Sequence, residues 1–283
     1  NNIVIYKAMQ SGPLANYLQT GGVSLIDSSS KISFYGISQG GVVGGGYVAS
    51  SPFIQRAALG VPGSPFALLL SRSHDFDAFH ALFNLNFYGW RDIRLTLSLM
   101  QQLWDQGESA GWLDYMNKDT PSGVPKKQVL IQDAHGDAQV TILAARIMAR
   151  CFNATNISPS IEPIYGLSEA PSVTGFSGLT EWAYDNVPPM PFENIPPKAS
   201  TDTHECIRDE ADAQAQIVHF LSSGIISQTC NGPCRKPTCA WLEKHHPKDG
   251  VSLEATDNSQ DFPEEAREGQ FLAGLTDYLP AAK

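Results

Sequence analysis

A strand-like segment followed at once by a glycine–serine turn constrains the fold of this chain most strongly. Residues 31–35 alternate in polarity and are rich in β-forming side chains, which predicts a short strand. The turn 36–40, Gly-Ile-Ser-Gln-Gly, follows directly, and the small apolar run 42–50 predicts a helix. Three consecutive glycines, 44–46, cost helix stability. We therefore expect this helix to lie very close to another part of the protein.

The turn carries the pattern G-x-S-x-G, whose meaning depends on the strand before it and the helix after it. In that context a sharp turn strains the backbone of Ser38 and exposes its hydroxyl above the sheet. We expect Gly36 and Gly40 both to be required, because a Cβ at either position would clash with neighbouring backbone. The helix N-terminus beneath the serine favours developing negative charge. Ser38 is therefore a candidate nucleophile; the alternative is a glycine-rich turn without chemistry.

Segments around this turn alternate between strand and helix patterns. Strands are predicted at 54–61 and 127–132, helices at 8–18, 138–152 and 209–222, and weaker strand candidates lie at 1–6, 162–167 and 172–183. Such alternation favours an α/β fold with a mostly parallel sheet flanked by helices.

An aromatic-rich segment, residues 64–125, interrupts the alternation. Four phenylalanines recur there at intervals of three and four residues, typical of one helix face, at positions 76, 79, 83 and 87. We predict a helical cap whose Phe76, Phe79 and Trp104 are candidates for lining a substrate pocket. The alternative is that these aromatic residues only pack the insertion against the sheet.

The same patterns predict the division of the chain. An α/β core comprises residues 1–63 and 126–229, the helical cap comprises 64–125, and an acidic, cysteine-containing C-terminal extension comprises 230–283. A helical fragment is predicted near 264–279 within that extension.

A serine needs a base to remove its proton, and the chain has seven histidines. His204 follows an irregular segment and precedes a predicted helix, a loop position that suits a catalytic histidine. His135, just after a predicted strand, is the main competitor. His219 is expected to pack on an apolar helix face. The other histidines lie in the insertion, where they could line a pocket, or in the polar C-terminal part: His74, His80, His245 and His246.

A carboxylate on a strand-end loop should orient the histidine. Asp137 follows the predicted strand 127–132 and precedes a predicted helix that begins at Ala138. It could also cap that helix, and the two roles are compatible. Asp133, nearer the strand end, is the second candidate.

Four of the five cysteines cluster in the C-terminal part: Cys206, Cys230, Cys234 and Cys239. Two disulfides could form there in any of three pairings. One alternative is free thiols. The other is a zinc site that adds His245 or His246, but the cysteine intervals do not match the usual paired spacing of zinc ligands. Disulfides are favoured and imply an extracytoplasmic protein. No metal and no cofactor is expected.

The charge balance excludes some partners. The chain has 19 Lys and Arg against 29 Asp and Glu, a net charge of −10. A nucleic-acid partner is disfavoured because a phosphate backbone requires a basic surface. No apolar run reaches the roughly 18–20 residues that span a bilayer.

The segments 36–40 (Gly-Ile-Ser-Gln-Gly), 136–140 (Gly-Asp-Ala-Gln-Val) and 203–206 (Thr-His-Glu-Cys) together resemble the α/β-hydrolase superfamily. The resemblance covers roughly residues 30–225 and is closest to secreted bacterial esterase- or lipase-like hydrolases. It implies an ester hydrolase that is secreted, periplasmic or on the cell surface. It also implies Ser38 as nucleophile, His204 as base, Asp137 as orienting acid and the backbone N–H of Gln39 as one oxyanion donor.

The chain departs from this family before the serine turn. Only 30 residues precede the strand 31–35, whereas the family has several earlier strands and takes its second oxyanion donor from a loop among them. Either the chain is the C-terminal part of a longer or cleaved protein, or its sheet is unusually small. We favour the first and expect the second donor to lie outside this chain, on an N-terminal partner chain from the same precursor. The expected substrate is a small ester with an apolar or aromatic acyl group. Alternatives are a serine peptidase of the prolyl-oligopeptidase type and a catalytically inactive binding module.

Overall fold

A computed structural model describes residues 2–11, 13–25 and 31–245. The predicted helix near 264–279 and His246 lie outside the described residues.

The described helices and strands have the following bounds. The helices are α1 (Asn2–Ser11), α2 (Pro13–Tyr17), α3 (Gln39–Val42), α4 (Gly44–Ser50), α5 (Phe66–Leu69), α6 (Asp77–Asn86), α7 (Trp90–Trp104), α8 (Ile142–Cys151), α9 (Ala211–Ser223) and α10 (Ala240–His245). Short 3-10 helices occupy Leu70–Arg72, His74–Phe76, Ser109–Met116, Ala199–Thr201 and Cys206–Asp209. The strands are β1 (Gln19–Thr20), β2 (Val23–Ser24), β3 (Phe34–Ile37), β4 (Arg56–Gly60), β5 (Gln128–Ala134), β6 (Thr155–Ile157), β7 (Ser168–Ala170), β8 (Ser172–Thr174), β9 (Gly178–Tyr184), β10 (Ile225–Ser227) and β11 (Arg235–Lys236).

Within the described ranges, seven parallel strands form the sheet that organises the fold. Its order is β3-β4-β5-β9-β6-β7, and β11 pairs with β9 beyond the end of β6. Every pair in this sheet is parallel, with Tyr35 opposite Ala58 and Asp133 opposite Glu181. The predicted α/β fold with a mostly parallel sheet and flanking helices is confirmed.

Helices cover both faces of the sheet. On one face, buried Val48 of α4 and Met148 of α8 join Leu59 and Ile131 of the strands in the largest apolar cluster. On the other face, Phe220 of α9 packs with Leu130 and Ala58. Strands buried on both sides read as continuous apolar runs, which explains why their sequences are rich in Ala, Leu, Ile and Val.

The glycine run in α4 lies against other parts of the chain, as predicted. A Cβ at Gly45 would lie 2.3 Å from the Ser109 hydroxyl, and one at Gly46 would lie 3.0 Å from the Trp112 ring. The Ser109 hydroxyl also donates a hydrogen bond to the carbonyl of Val42. Residues 109–116 therefore pack directly on the helices that follow Ser38.

Several predicted boundaries were wrong. Residues 1–6 contain a β-branched run but belong to helix α1 from Asn2 onward, and 162–167 form no strand. The segment 172–183 is divided into β8 and β9 by a turn at Gly175, which has φ +81°. The helix predicted from Ala138 begins only at Ile142. Short apolar runs do not by themselves distinguish strand from helix, and turn residues locate breaks better than hydrophobicity does.

Two disulfides join the four clustered cysteines. Cys206 pairs with Cys239, and Cys230 pairs with Cys234. The zinc alternative is therefore wrong, because its thiolates are consumed in disulfides. Cys151 is a free, exposed cysteine.

Within the described residues, no helix combines the length and apolar character needed to cross a bilayer.

Candidate active site

Three parallel strands bring the predicted serine, acid and histidine to one edge of the sheet. Ser38 directly follows β3, Asp137 lies three residues beyond β5, and His204 lies on the segment that follows β9. The carboxyl ends of parallel strands meet at the same edge. Positions far apart in the sequence can therefore converge there.

A continuous chain of hydrogen bonds links the three side chains. His204 Nε2 lies 2.7 Å from Ser38 Oγ, and His204 Nδ1 lies 2.8 Å from Asp137 Oδ2. His204 and Asp137 are each 1% exposed, whereas Ser38 is only partly buried. With Nδ1–H donating to the carboxylate, Nε2 can accept the proton of the serine hydroxyl.

The backbone of Ser38 is strained. Its φ of 57° and ψ of −126° lie in a region that non-glycine residues rarely adopt. The Ser38 N–H donates to the Gly60 carbonyl, and the Ser38 carbonyl accepts from the N–H groups of Gly41 and Val42. The N–H of Gln39, the first residue of α3, donates no hydrogen bond within the part of the chain that the structure describes. It is thus available to an oxygen atom held beside Ser38.

The two glycines of the turn differ. A Cβ at Gly36 would lie 2.3 Å from the carbonyl oxygen of Gly40, closer than real Cβ contacts come. A Cβ at Gly40 would have no heavy atom within 4 Å. The expectation that both glycines are required for steric reasons was therefore wrong for Gly40. Gly36 lacks a side chain because the following helix turns directly over it.

Replacing Gly36 with alanine is expected to destabilise the protein by more than about 2 kcal/mol, because backbone must move to admit the methyl group. Gly40→Ala is the matched control. It is expected to change the free energy of unfolding by less than about 1 kcal/mol and to favour helix α3. Urea unfolding of both variants measures the difference. Equal stabilities would contradict the turn geometry.

Asp137 is fixed by its own loop. Its Oδ1 accepts hydrogen bonds from the N–H groups of Gln139 (2.9 Å) and Val140 (2.7 Å). Asp137 therefore caps a turn that precedes α8, whose N-cap residue is Thr141. The predicted role of Asp137 as the N-cap of a helix beginning at Ala138 is corrected accordingly. With Oδ1 held by backbone, Oδ2 points to His204.

His204 has a raised pKa. Burial opposes the charged ring, but the hydrogen bond and charge of Asp137, with the charges of Asp202 and Glu205, outweigh it and raise the pKa above 6.5. A raised pKa favours the imidazolium that forms whenever the ring takes a proton from Ser38. It also moves the acidic limit of such chemistry to higher pH, because only the neutral ring accepts that proton.

The structure does not place the competing histidines with Ser38. His135 Nε2 lies 3.0 Å from Glu181 Oε2. His74 binds Asp77 and the carbonyl of Pro197. His80 Nε2 is buried without a hydrogen-bond partner among the described residues. His219 is exposed, which corrects the expectation that it packs on an apolar face.

Asp133 belongs to a second charged cluster. It lies inside β5, which extends to Ala134, and is buried beside its register partner Glu181. Both of its oxygens lack a hydrogen-bond partner among the described residues, and burial raises its pKa well above 3.8. The site of Asp133 therefore favours the neutral acid, and Asp133 does not contact His204.

The side chains of His135, Glu162 and Glu181 could reach one metal ion, since their ligand atoms lie within 4.8 Å of one another. However, the Arg146 guanidinium already binds Glu162 at 2.6 Å and Glu181 at 2.6 and 2.8 Å. A fixed cation thus occupies the position that an ion would take, and we assign no metal to this cluster.

The predicted pocket residues occupy the helical segment. Phe76 is buried in a cluster with Ile93 and Leu97, and its ring stacks on that of Phe79, which is 55% exposed. Trp104 packs edge-on against Phe66, with 5.8 Å between ring centroids. Packing thus accounts for Phe76 and Trp104 directly, and a role in substrate binding stays a prediction.

The sequence predictions did not include two features at the edge of the sheet that carries Ser38. Val61 follows β4 with φ 41°, although a β-branched residue before proline normally favours extended backbone, so no local pattern indicated this turn. Asp202 contacts the loops of both Asp137 and His204. Its signal is the sequence Asp202-Thr-His204, since aspartate often bonds to the backbone two residues ahead.

Comparison with protein-family models, with curated proteins and with solved structures finds no match for this chain. The geometry of the site itself therefore carries the functional argument.

Proposed function

We propose that this protein is a serine hydrolase of the α/β-hydrolase type that cleaves carboxylic esters through an acyl-enzyme. The observation that carries the proposal is the hydrogen-bonded chain Ser38–His204–Asp137, with the serine in a strained turn between β3 and α3. Nucleophile, base and orienting acid are then within direct reach of one another.

In the first half-reaction, Ser38 Oγ attacks the ester carbonyl carbon while His204 Nε2 takes the hydroxyl proton. The tetrahedral intermediate places a negative charge on the former carbonyl oxygen, toward which the N–H of Gln39 can donate. Collapse breaks the ester C–O bond, and the leaving alcohol takes the proton from His204. Asp137 keeps the ring oriented and stabilises its charged form.

In the second half-reaction, a water molecule attacks the acyl carbon, and His204 takes one of its protons. Collapse of the second tetrahedral intermediate breaks the bond to Ser38 Oγ, which recovers its proton from His204. The carboxylic acid leaves and the site is restored. One oxyanion donor is assigned, and removal of such a donor typically costs about 10²–10³-fold in rate, so a second donor is required.

The disulfides support an extracytoplasmic location, because such bonds persist in oxidising compartments. A small ester with an apolar or aromatic acyl group stays the expected substrate, on the aromatic composition of segment 64–125 alone. No cofactor enters the proposed reaction.

Comparing p-nitrophenyl esters with peptide p-nitroanilides tests the reaction class. We expect turnover of acetyl, butyryl and benzoyl esters, and turnover of the matched anilides at least 100-fold slower. Ser38→Ala provides the control for hydrolysis at other nucleophiles. Faster cleavage of proline anilides than of every ester would instead support the peptidase. No turnover by the wild type, together with no labelling of Ser38 by a fluorophosphonate, would support a binding module.

A further inference from the structure

Asp202 joins the two loops on which the site depends. Its Oδ1 accepts a hydrogen bond from the N–H of Ala138 at 2.8 Å and from the N–H of His204 at 3.1 Å. Its Oδ2 accepts from Gln139 Nε2 at 2.8 Å. One carboxylate thus binds the two residues that follow Asp137 and the backbone of the histidine itself.

These contacts exceed the needs of a local turn. The bond to the N–H of His204 is a short-range aspartate turn, but Ala138 and Gln139 lie 64 and 63 residues away in the sequence. Hydrogen bonds to an ionised carboxylate are roughly twice as strong as neutral ones. Among the residues that the structure describes, two other hydrogen bonds join these loops. One is the Asp137–His204 bond, and in the other Thr203 Oγ1 donates to the His135 carbonyl at 3.0 Å.

The charge of Asp202 also acts on the imidazole. The charged groups that act on His204 are Asp137, Asp202 and Glu205, and all three carry negative charge. Glu205 is paired with the Arg208 guanidinium at 2.9 Å, whereas the Asp202 carboxylate accepts its hydrogen bonds from neutral backbone and amide groups. Asp202 is therefore a second carboxylate, beside Asp137, that favours the protonated ring.

We propose that Asp202 is a positioning residue, which holds the Asp137 and His204 loops in register and favours the charged imidazole during proton transfer. The inference rests on the proposed hydrolase function for its effect on rate, but not for its effect on the ring. A displacement of about 1 Å in such a site can cost about 10²-fold in rate.

Two substitutions separate the effect of the Asp202 hydrogen bonds from the effect of its charge. Asp202→Ala removes all three hydrogen bonds, and we expect kcat for a p-nitrophenyl ester at pH 9 to fall roughly 10- to 100-fold with little change in KM. Asp202→Asn keeps an acceptor oxygen for the two N–H groups. We therefore expect kcat at pH 9 to stay within about 3-fold of the wild type, because both backbone N–H bonds between the loops can be kept. Asp209→Asn, which changes an exposed carboxylate five residues after His204, is the matched control and should leave that kcat unchanged.

The pKa of the His204 ring, measured by NMR titration, tests the charge without turnover. We expect Asp202→Asn to lower this pKa and to move the acidic limb of the kcat/KM profile downward. The signal is assigned by its loss in His204→Gln.

The proposal is overturned if Asp202→Ala retains kcat within about 2-fold of the wild type, or if the ring pKa is the same with Asp202→Asn. Absence of both ester turnover and fluorophosphonate labelling of Ser38 in the wild type, together with a lowered ring pKa in Asp202→Asn, would reject the hydrolase function and retain the action of Asp202 on His204. If Asp202→Ala does not fold, the titration of Asp202→Asn decides alone.

Discussion

Replacing Asp137 with asparagine is expected to lower kcat for ester hydrolysis by about 10⁴-fold while the protein stays folded. In Asp137→Asn the amide oxygen can still accept from the Gln139 and Val140 N–H groups, but the NH₂ group then faces His204 Nδ1. Nδ1 then accepts a hydrogen bond from the amide, and the ring carries its proton on Nε2. A protonated Nε2 cannot accept the proton of Ser38. Ser38→Ala and His204→Ala should each lower kcat by about 10⁴–10⁶-fold.

Asp133→Asn is the matched control for the acid. Asp133 carries the same side chain four residues away and is equally buried, but it does not contact His204. Because burial already favours the neutral acid, the amide should change kcat by less than about 3-fold. Steady-state kinetics of both variants with a p-nitrophenyl ester shows which aspartate orients His204. Near-normal turnover by Asp137→Asn, with loss in Asp133→Asn, would reverse the assignment of the acid.

Removing the Cys206–Cys239 disulfide is expected to have the largest effect on stability. The bond closes a loop with a sequence separation of 33, and loop-closure entropy gives about 4 kcal/mol for that length. Cys206 also lies two residues after His204, so loss of the bond frees the loop that carries the base. Cys206→Ala with Cys239→Ala should lower both the urea midpoint and kcat.

The second disulfide provides the control. Cys230–Cys234 has a sequence separation of 4, for which the same relation gives about 2 kcal/mol, and it lies farther along the chain from His204. The double variant Cys230→Ala with Cys234→Ala should therefore lose about 2 kcal/mol less free energy of unfolding than Cys206→Ala with Cys239→Ala. It should also retain kcat. Equal losses in both double variants would show that loop closure is not the cause. In the wild type, thiol titration under denaturing, non-reducing conditions should find one thiol, that of Cys151.

The serine turn could be predicted from the sequence because its meaning is local. A strand, a G-x-S-x-G turn and a small-residue helix stand in immediate succession, and the glycines of α4 were correctly expected to mark a close approach. Which backbone atom lies over which glycine depends on how the chain folds back. That is why Gly36 and Gly40 could not be distinguished in advance.

Polar residues at buried positions account for two other differences between the sequence predictions and the structure, at His219 and at Asp133. On α9 the buried residues are Ala213, Gln216 and Phe220, and Gln216 is satisfied by Gln132 and Thr180. A hydrophobic pattern does not count a glutamine as buried, so the apolar face was misplaced and His219 was expected inside. Asp133 was expected near the strand end for the same reason, since a buried unpaired acid within a strand is unusual.

The most direct test of the catalytic serine is labelling with a fluorophosphonate, followed by peptide mass spectrometry. We predict covalent modification of Ser38 in the folded wild type, at least 100-fold slower modification in His204→Ala, and none in Ser38→Ala or after unfolding. An unmodified Ser38 in folded protein, or equal labelling rates with and without His204, would contradict the proposal that this hydroxyl is an activated nucleophile.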